Sequence, residues 1–147
     1  MEHDESKSLY NVTAADVMTP APRTCSRFST VLEAVMIFRD ADCGAVPILE
    51  DGKPIGIVTD RDVAIALPDA PDLLTRRIDE IMSTGIVSVA PEDTLGHVHQ
   101  VLASRAIRRV LVVDADQRLV GIIGWADIAP VLSERLMGRI VSEVVES

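Results

Sequence analysis

Gly56-Ile57-Val58-Thr59-Asp60-Arg61-Asp62 returns in altered form 65 residues later as Gly121-Ile122-Ile123-Gly124-Trp125-Ala126-Asp127. Each stretch reads as a buried strand that gives way at once to a helix start. Downstream, Asp62-Val63-Ala64 falls on Asp127-Ile128-Ala129 at the same offset. Upstream the offset becomes 64, so that Glu50 falls on Asp114, Val46 on Val110 and Thr30 on Thr94. At the far end Ala15-Asp16-Val17-Met18 falls on Asp79-Glu80-Ile81-Met82. One residue is gained, and it is gained in a turn. An ordered series of matches with one such gap marks an internal repeat.

Each copy reads helix, strand, helix, strand, strand, helix. A short helix ends near Met18 or Met82, and a brief extended segment follows, Arg23–Cys25 or Ile86–Val89. Thr30-Val31-Leu32-Glu33 has the form of a capping box, with threonine at the cap and glutamate three residues on. Val31, Ala34, Ile37 and Phe38 are spaced for one helical face, as are Leu95, Val98, Val101 and Leu102. Gly44 is the expected stop of the first of these helices. Two strands, Ala45–Leu49 and Pro54–Val58, flank Glu50-Asp51-Gly52-Lys53, whose Asp-Gly pair signals a hairpin. Val110–Val113 and Leu119–Ile123 flank Asp114-Ala115-Asp116-Gln117 in the second copy. The expected fold is α/β, with small sheets flanked by helices. Residues 1–11 form a tail, 12–67 the first repeat, 68–76 a linker, 77–129 the second repeat and 130–147 a C-terminal amphipathic helix. A unit of roughly 60 residues buries too little surface to stand well alone. The two copies are therefore expected to pack on each other about a pseudo-twofold axis, leaving two equivalent clefts.

Composition narrows the function. The chain has 147 residues, 48% of them hydrophobic and only 3% aromatic, so the core is aliphatic and ring-stacking recognition of single strands is disfavoured. Fourteen basic against 23 acidic residues give a formal net charge of -9, which repels a nucleic-acid backbone. Met1–Ser8 is acidic and polar, unlike a signal peptide. No apolar run approaches the roughly 20 residues of a membrane span. Cys25 and Cys43 form neither a disulfide framework nor a metal pattern, and they read as small apolar residues. His97 and His99 face different ways on a helix and make a poor metal pair. These features point to a cytoplasmic chain with no membrane and no nucleic-acid partner. No P-loop, nucleophile elbow or zinc motif is present, so no catalytic or metal residues are assigned and no enzyme activity is expected.

The arrangement resembles the tandem cystathionine-β-synthase (CBS) domain pair. The resemblance rests on Asp16-Val17-Met18-Thr19-Pro20, Gly44-Ala45-Val46-Pro47-Ile48, Gly56-Ile57-Val58-Thr59-Asp60-Arg61-Asp62, Ile107-Arg108-Arg109-Val110 and Gly121-Ile122-Ile123. Two β-α-β-β-α repeats are implied, together with a regulatory role in binding an adenosine-containing ligand. AMP, ATP or ADP are such ligands, as are NAD and S-adenosylmethionine; the ligand is an adenine nucleotide rather than a resident cofactor. A homodimer is implied as well, and with no effector domain the chain looks like the stand-alone kind, its effector unknown.

The resemblance also implies the site. In the first cleft Val58, Thr59, Arg61 and Asp62 would face Ile86, Val87, Arg108 and Arg109. Free N–H groups at the helix start would hold a phosphate, helped by the dipole and the Thr59 hydroxyl. Asp62 would accept from a ribose diol. Ile86 and Val87 would meet the adenine, and Arg108 or Arg109 would reach the phosphates. The second cleft would draw on Pro22, Arg23, Gly44, Ala45, Gly124 and Asp127. There Gly124 replaces the expected Thr or Ser, and Trp125 stands where it would cover or block the opening, so weaker binding, or a ligand with less phosphate charge, is expected.

Plainer readings stand beside these. Acidic residues at Asp60 and Asp62 are favoured at any helix start. Neighbours on a strand point to opposite faces, so one of Arg108 and Arg109 is expected to pair with surface carboxylates. A ligand-free dimerisation module is the alternative function. The stripe formed by Leu132, Leu136, Met137, Ile140, Val141, Val144 and Val145 is expected to contact its own domain or, as the favoured reading, a second chain.

Overall fold

The computed structural model describes residues 11–134. The C-terminal stripe beyond residue 134 and most of the N-terminal tail lie outside the described residues. The chain divides into two compact units. One comprises the described parts of 1–20, 88–114 and 120–147, the other 21–87 and 115–119. Both are mixed α/β structures in which a small sheet is flanked by helices, as the sequence predicts.

The second of these units holds β2 (Cys25–Ser26), β3 (Ala45–Glu50) and β4 (Lys53–Thr59) in the order β2-β3-β4. β2 runs parallel to β3, and β3 antiparallel to β4. Asp51 at φ 54° and Gly52 at φ 79° make the tight hairpin turn that the Asp-Gly pair calls for. Helix α2 (Val31–Ala41) opens with the expected capping box. Glu33 N–H donates to Thr30 Oγ1 at 3.3 Å, and Thr30 N–H donates to Glu33 Oε2 at 3.2 Å. It buries Val31, Ala34 and Ile37 against the sheet residues Val46, Ile48 and Val58. The helix stops at Asp42, in left-handed conformation at φ 50°, two residues before the glycine the sequence suggests as its stop. Aspartate tolerates this conformation better than most side chains. Helix α3 (Asp60–Ala66) follows β4 without a break. The stretch 68–76 is itself packed, with Ala70 and Leu73 both part of the core.

The other unit holds a sheet in the order β1-β7-β6-β5. Its strands are β1 (Thr19–Pro20), β5 (Ser88–Val89), β6 (Arg109–Val113) and β7 (Leu119–Gly124). Helices α1 (Ala14–Val17) and α4 (Leu95–Ser104) belong to it, and the chain is helical again over 125–134. Thr94 caps α4, its hydroxyl accepting from His97 N–H at 3.1 Å. Leu95, Val98 and Leu102 form the buried face, three of the four expected positions.

The lead-in of each repeat packs on the body of the other repeat. Thr13 bridges Thr94, while Arg77, 64 residues after Thr13, bridges Thr30. Leu95 N–H donates to Val12 O at 2.7 Å, and Val31 N–H donates to Arg76 O at 2.9 Å. Thr19 pairs with Ile122 in the β1–β7 ladder, and Ser83 pairs with Ile57. Each unit is thus assembled from both repeats. The second lead-in differs in detail: where the first has α1, it has a 3₁₀ turn over Ile78–Glu80.

Candidate nucleotide-binding residues

Thr59 is the last residue of β4 and the N-cap of α3. Its N–H donates to Asp62 Oδ2 at 2.9 Å, and its Oγ1 accepts from Asp62 N–H at 3.2 Å. This capping box fixes both candidate side chains from residues three apart, and both are half-buried. The hydroxyl accepts within the box and keeps its own hydrogen as a donor. The box engages one carboxylate oxygen of Asp62. Val58, just before, is fully buried, and Arg61 is exposed.

Strand register brings two further candidates alongside. Ala45 is the cross-strand partner of Thr59, and Asp60 N–H donates to Gly44 O at 3.1 Å. Gly44 and Ala45 therefore flank the Thr59–Asp62 turn within one unit. Pro22, Arg23, Ile86 and Val87 belong to that unit too. Pro22 and Arg23 follow the crossing from one unit to the other at 20/21, and Ile86 and Val87 precede the crossing at 87/88. Ala21, at the first crossing, holds φ 45°, a left-handed conformation costly for an alanine. Arg23 also helps stabilise a carboxylate of its own unit. Asp40 titrates below its ordinary value, chiefly through its hydrogen bond from Arg39; desolvation opposes this, and the charges of Arg39 and Arg23 add to the lowering.

Arg108, Arg109, Gly124 and Asp127 belong to the other unit. Gly124 N–H donates to Asp127 Oδ2 at 2.7 Å, which repeats half of the Thr59–Asp62 box. The other half is missing because glycine offers no hydroxyl. Trp125 N–H donates to Arg108 O at 3.2 Å, the counterpart of the bond from Asp60 to Gly44. A Cβ on Gly124 would lie 3.7 Å from Arg109 Cγ, so the arginine stem runs beside the bare glycine. A small residue faces Thr59 in one unit, and a long one lies beside Gly124 in the other. Arg109 is half-buried and Arg108 exposed. The Trp125 ring meets His99 of α4 edge-on, with centroids 5.4 Å apart. That contact was not legible in the sequence, since residues 26 apart in different elements carry no shared pattern. Among the described residues no cluster of His, Cys, Asp and Glu is placed to hold a metal. No described helix is long and apolar enough to cross a membrane.

The family model for the CBS domain matches residues 14–69 and again 78–134. The CBS domain-containing protein YhcV of Bacillus subtilis (strain 168) is 35% identical over 114 residues, spanning 78% of this chain and 81% of YhcV. The CBS domain pair of protein MJ0100, solved in complex with 5′-methylthioadenosine and S-adenosyl-L-methionine, superimposes with a TM-score of 0.76 at 27% identity, covering 84% of this chain and 98% of that one. The cytosolic domain of the Mg2+ channel MgtE in complex with ATP gives a TM-score of 0.69 at 27% identity, covering 82% of this chain and 48% of that one. With two matched domains, a repeated strand-to-helix turn and this structural likeness, the chain belongs to the CBS domain family and carries two CBS domains in tandem.

Proposed function

We propose that this protein is a regulatory sensor that binds an adenosine-containing ligand, an adenine nucleotide such as AMP or ATP, and does not turn it over. The observation that carries the reading is the Thr59–Asp62 box. It holds a hydroxyl donor and a carboxylate at the mouth of a helix, one suited to a phosphate and the other to a ribose diol. Two relatives of similar fold hold adenosine compounds, which supports adenine as the base. Ile86, Val87 and the forked donors of Arg108 or Arg109 are proposed as further ligand residues on the family resemblance. Pro22, Arg23, Gly44, Ala45, Gly124 and Asp127 are proposed as a second and weaker set, because Gly124 offers no hydroxyl beside Asp127. Ligand binding shifts the conformation read by a partner, by no more than its differential affinity for the two states.

The test is thermal melting and calorimetry with AMP, ADP, ATP, NAD and S-adenosylmethionine. A ligand present at 100 times its dissociation constant stabilises by about 2.7 kcal/mol. Asp62→Ala is expected to remove most of that gain and Asp127→Ala little of it. If none of the five stabilises the protein at millimolar concentration, the reading fails. One observation favours a second reading, a ligand-free dimerisation module. The capping box already gives Thr59 and Asp62 a structural role, and such a module would keep every activity after Asp62→Ala.

A further inference from the structure

Two methionines occupy matching places. The Sδ of Met18 fills the space that a Cβ on Gly121 would need, and the Sδ of Met82 lies 2.6 Å from the Cβ position of Gly56. Both glycines are buried, while both methionines are half-buried. Beside each thioether the lead-in is tied to its strand by the backbone. Thr19 pairs with Ile122, and Ser83 exchanges bonds of 2.9 and 3.0 Å with Ile57. The contact occurs twice, at positions 64 apart for the methionines and 65 apart for the glycines. Each sulfur therefore presses on a bare Cα and anchors one repeat's lead-in to the other repeat.

We propose that Met18 and Met82 are a matched pair of peroxide-sensitive latches, whose oxidation loosens the lead-ins from β7 and β4. A sulfur lone pair attacks one oxygen of hydrogen peroxide and the O–O bond breaks. The second oxygen takes up the hydrogen of the transferred one and departs as water, the thioether becomes a sulfoxide and the peroxide is reduced by two electrons. The added oxygen meets a seat closed on the glycine side, where the sulfur already stands closer than a Cβ would allow. It also brings a polar atom to an apolar contact. The lead-ins run on to Pro22–Arg23 and Ile86–Val87, so loosening them reaches the proposed ligand residues; the latch itself holds whether or not that ligand reading does.

The test uses the full chain without nucleotide, dosed with hydrogen peroxide. Site occupancy is read by peptide mass spectrometry, and stability by thermal melting. Met36 is exposed on α2 and serves as the internal control. Its conversion is expected first and without effect on melting. Conversion of Met18 and Met82 is expected to lower the melting temperature by roughly 5 °C or more. Methionine sulfoxide reductase restores the original value, and dithiothreitol alone does not. Met18→Leu/Met82→Leu is expected to keep its melting temperature under the same dose. Reversal of the loss in the unmodified chain carries the test if that variant folds poorly. The proposal is overturned if both methionines resist a dose that fully converts Met36, or if their conversion leaves melting unchanged. A loss repaired by dithiothreitol alone, or an equal loss in the double variant, overturns it too.

Discussion

The Thr59 hydroxyl accepts from Asp62 N–H and still carries its own proton, so one side chain both ends a strand and offers a donor. Thr59→Ala is therefore expected to cost about 1 kcal/mol in a urea titration, the usual worth of a threonine cap. The matching position, Gly124, has room for a side chain, since a Cβ there meets Arg109 Cγ at an ordinary 3.7 Å. Ala106 presents the opposite case. It holds φ 54° just past the end of α4, where the chain needs a left-handed residue and has an alanine. Ala106→Gly is expected to raise stability by up to about 1 kcal/mol, measured as a higher urea midpoint. Cys25 shows how burial acts on one group. Desolvation raises its thiol above the ordinary value; a hydrogen bond with Ser29 opposes this, Glu33 adds to the rise and Arg23 opposes it. The folded state thus holds that proton more tightly than the unfolded chain. The contribution to stability is complete below the ordinary thiol value and fades as pH climbs through the raised one. Stability is expected to fall from about pH 8 upward, and less steeply in Cys25→Ala, as read from urea midpoints across that range.

Strands, caps and turns follow from short-range pattern in this chain. Thr30 and Glu33 close the box their spacing announces, and Asp51-Gly52 makes the turn its dipeptide announces. These contacts span two to four residues, so the local sequence holds the whole interaction. The helix stop at Asp42 rather than at Gly44 shows the limit, because two residues tolerant of a left-handed conformation lay within reach and the local pattern does not rank them. The contact of each lead-in with its strand is an element-scale property and is testable as one. Gly56→Ala is expected to cost about 1–3 kcal/mol, because its new methyl meets Met82 Sδ at 2.6 Å and the Ser83 carbonyl at 3.0 Å. Trimming the methionine relieves part of that clash, so in a double-mutant cycle Gly56→Ala and Met82→Ala are expected to cost less together than the sum of the two.

At the scale of the whole molecule, neither repeat builds a unit from its own residues. The body of the first takes its lead-in from 77–83, and the body of the second takes its lead-in from 12–20. A chain cut between the exposed Pro71 and Asp72 is expected to yield two halves that fold poorly apart and regain structure when mixed. Circular dichroism of each half and of the mixture checks this; two halves that melt cooperatively on their own would count against it. The repeat, the aliphatic core, the caps, the hairpin and the Thr59–Asp62 turn were legible in the sequence, because each rests on residue type at a short and fixed spacing. The half-formed box at Gly124 was legible too, since a missing hydroxyl is a matter of composition. The tertiary structure alone decided that Met18 rests on Gly121, that Met82 rests on Gly56 and that Trp125 meets His99. Those contacts join positions 26 to 103 residues apart, and no local preference of the backbone records which distant surface a side chain will meet.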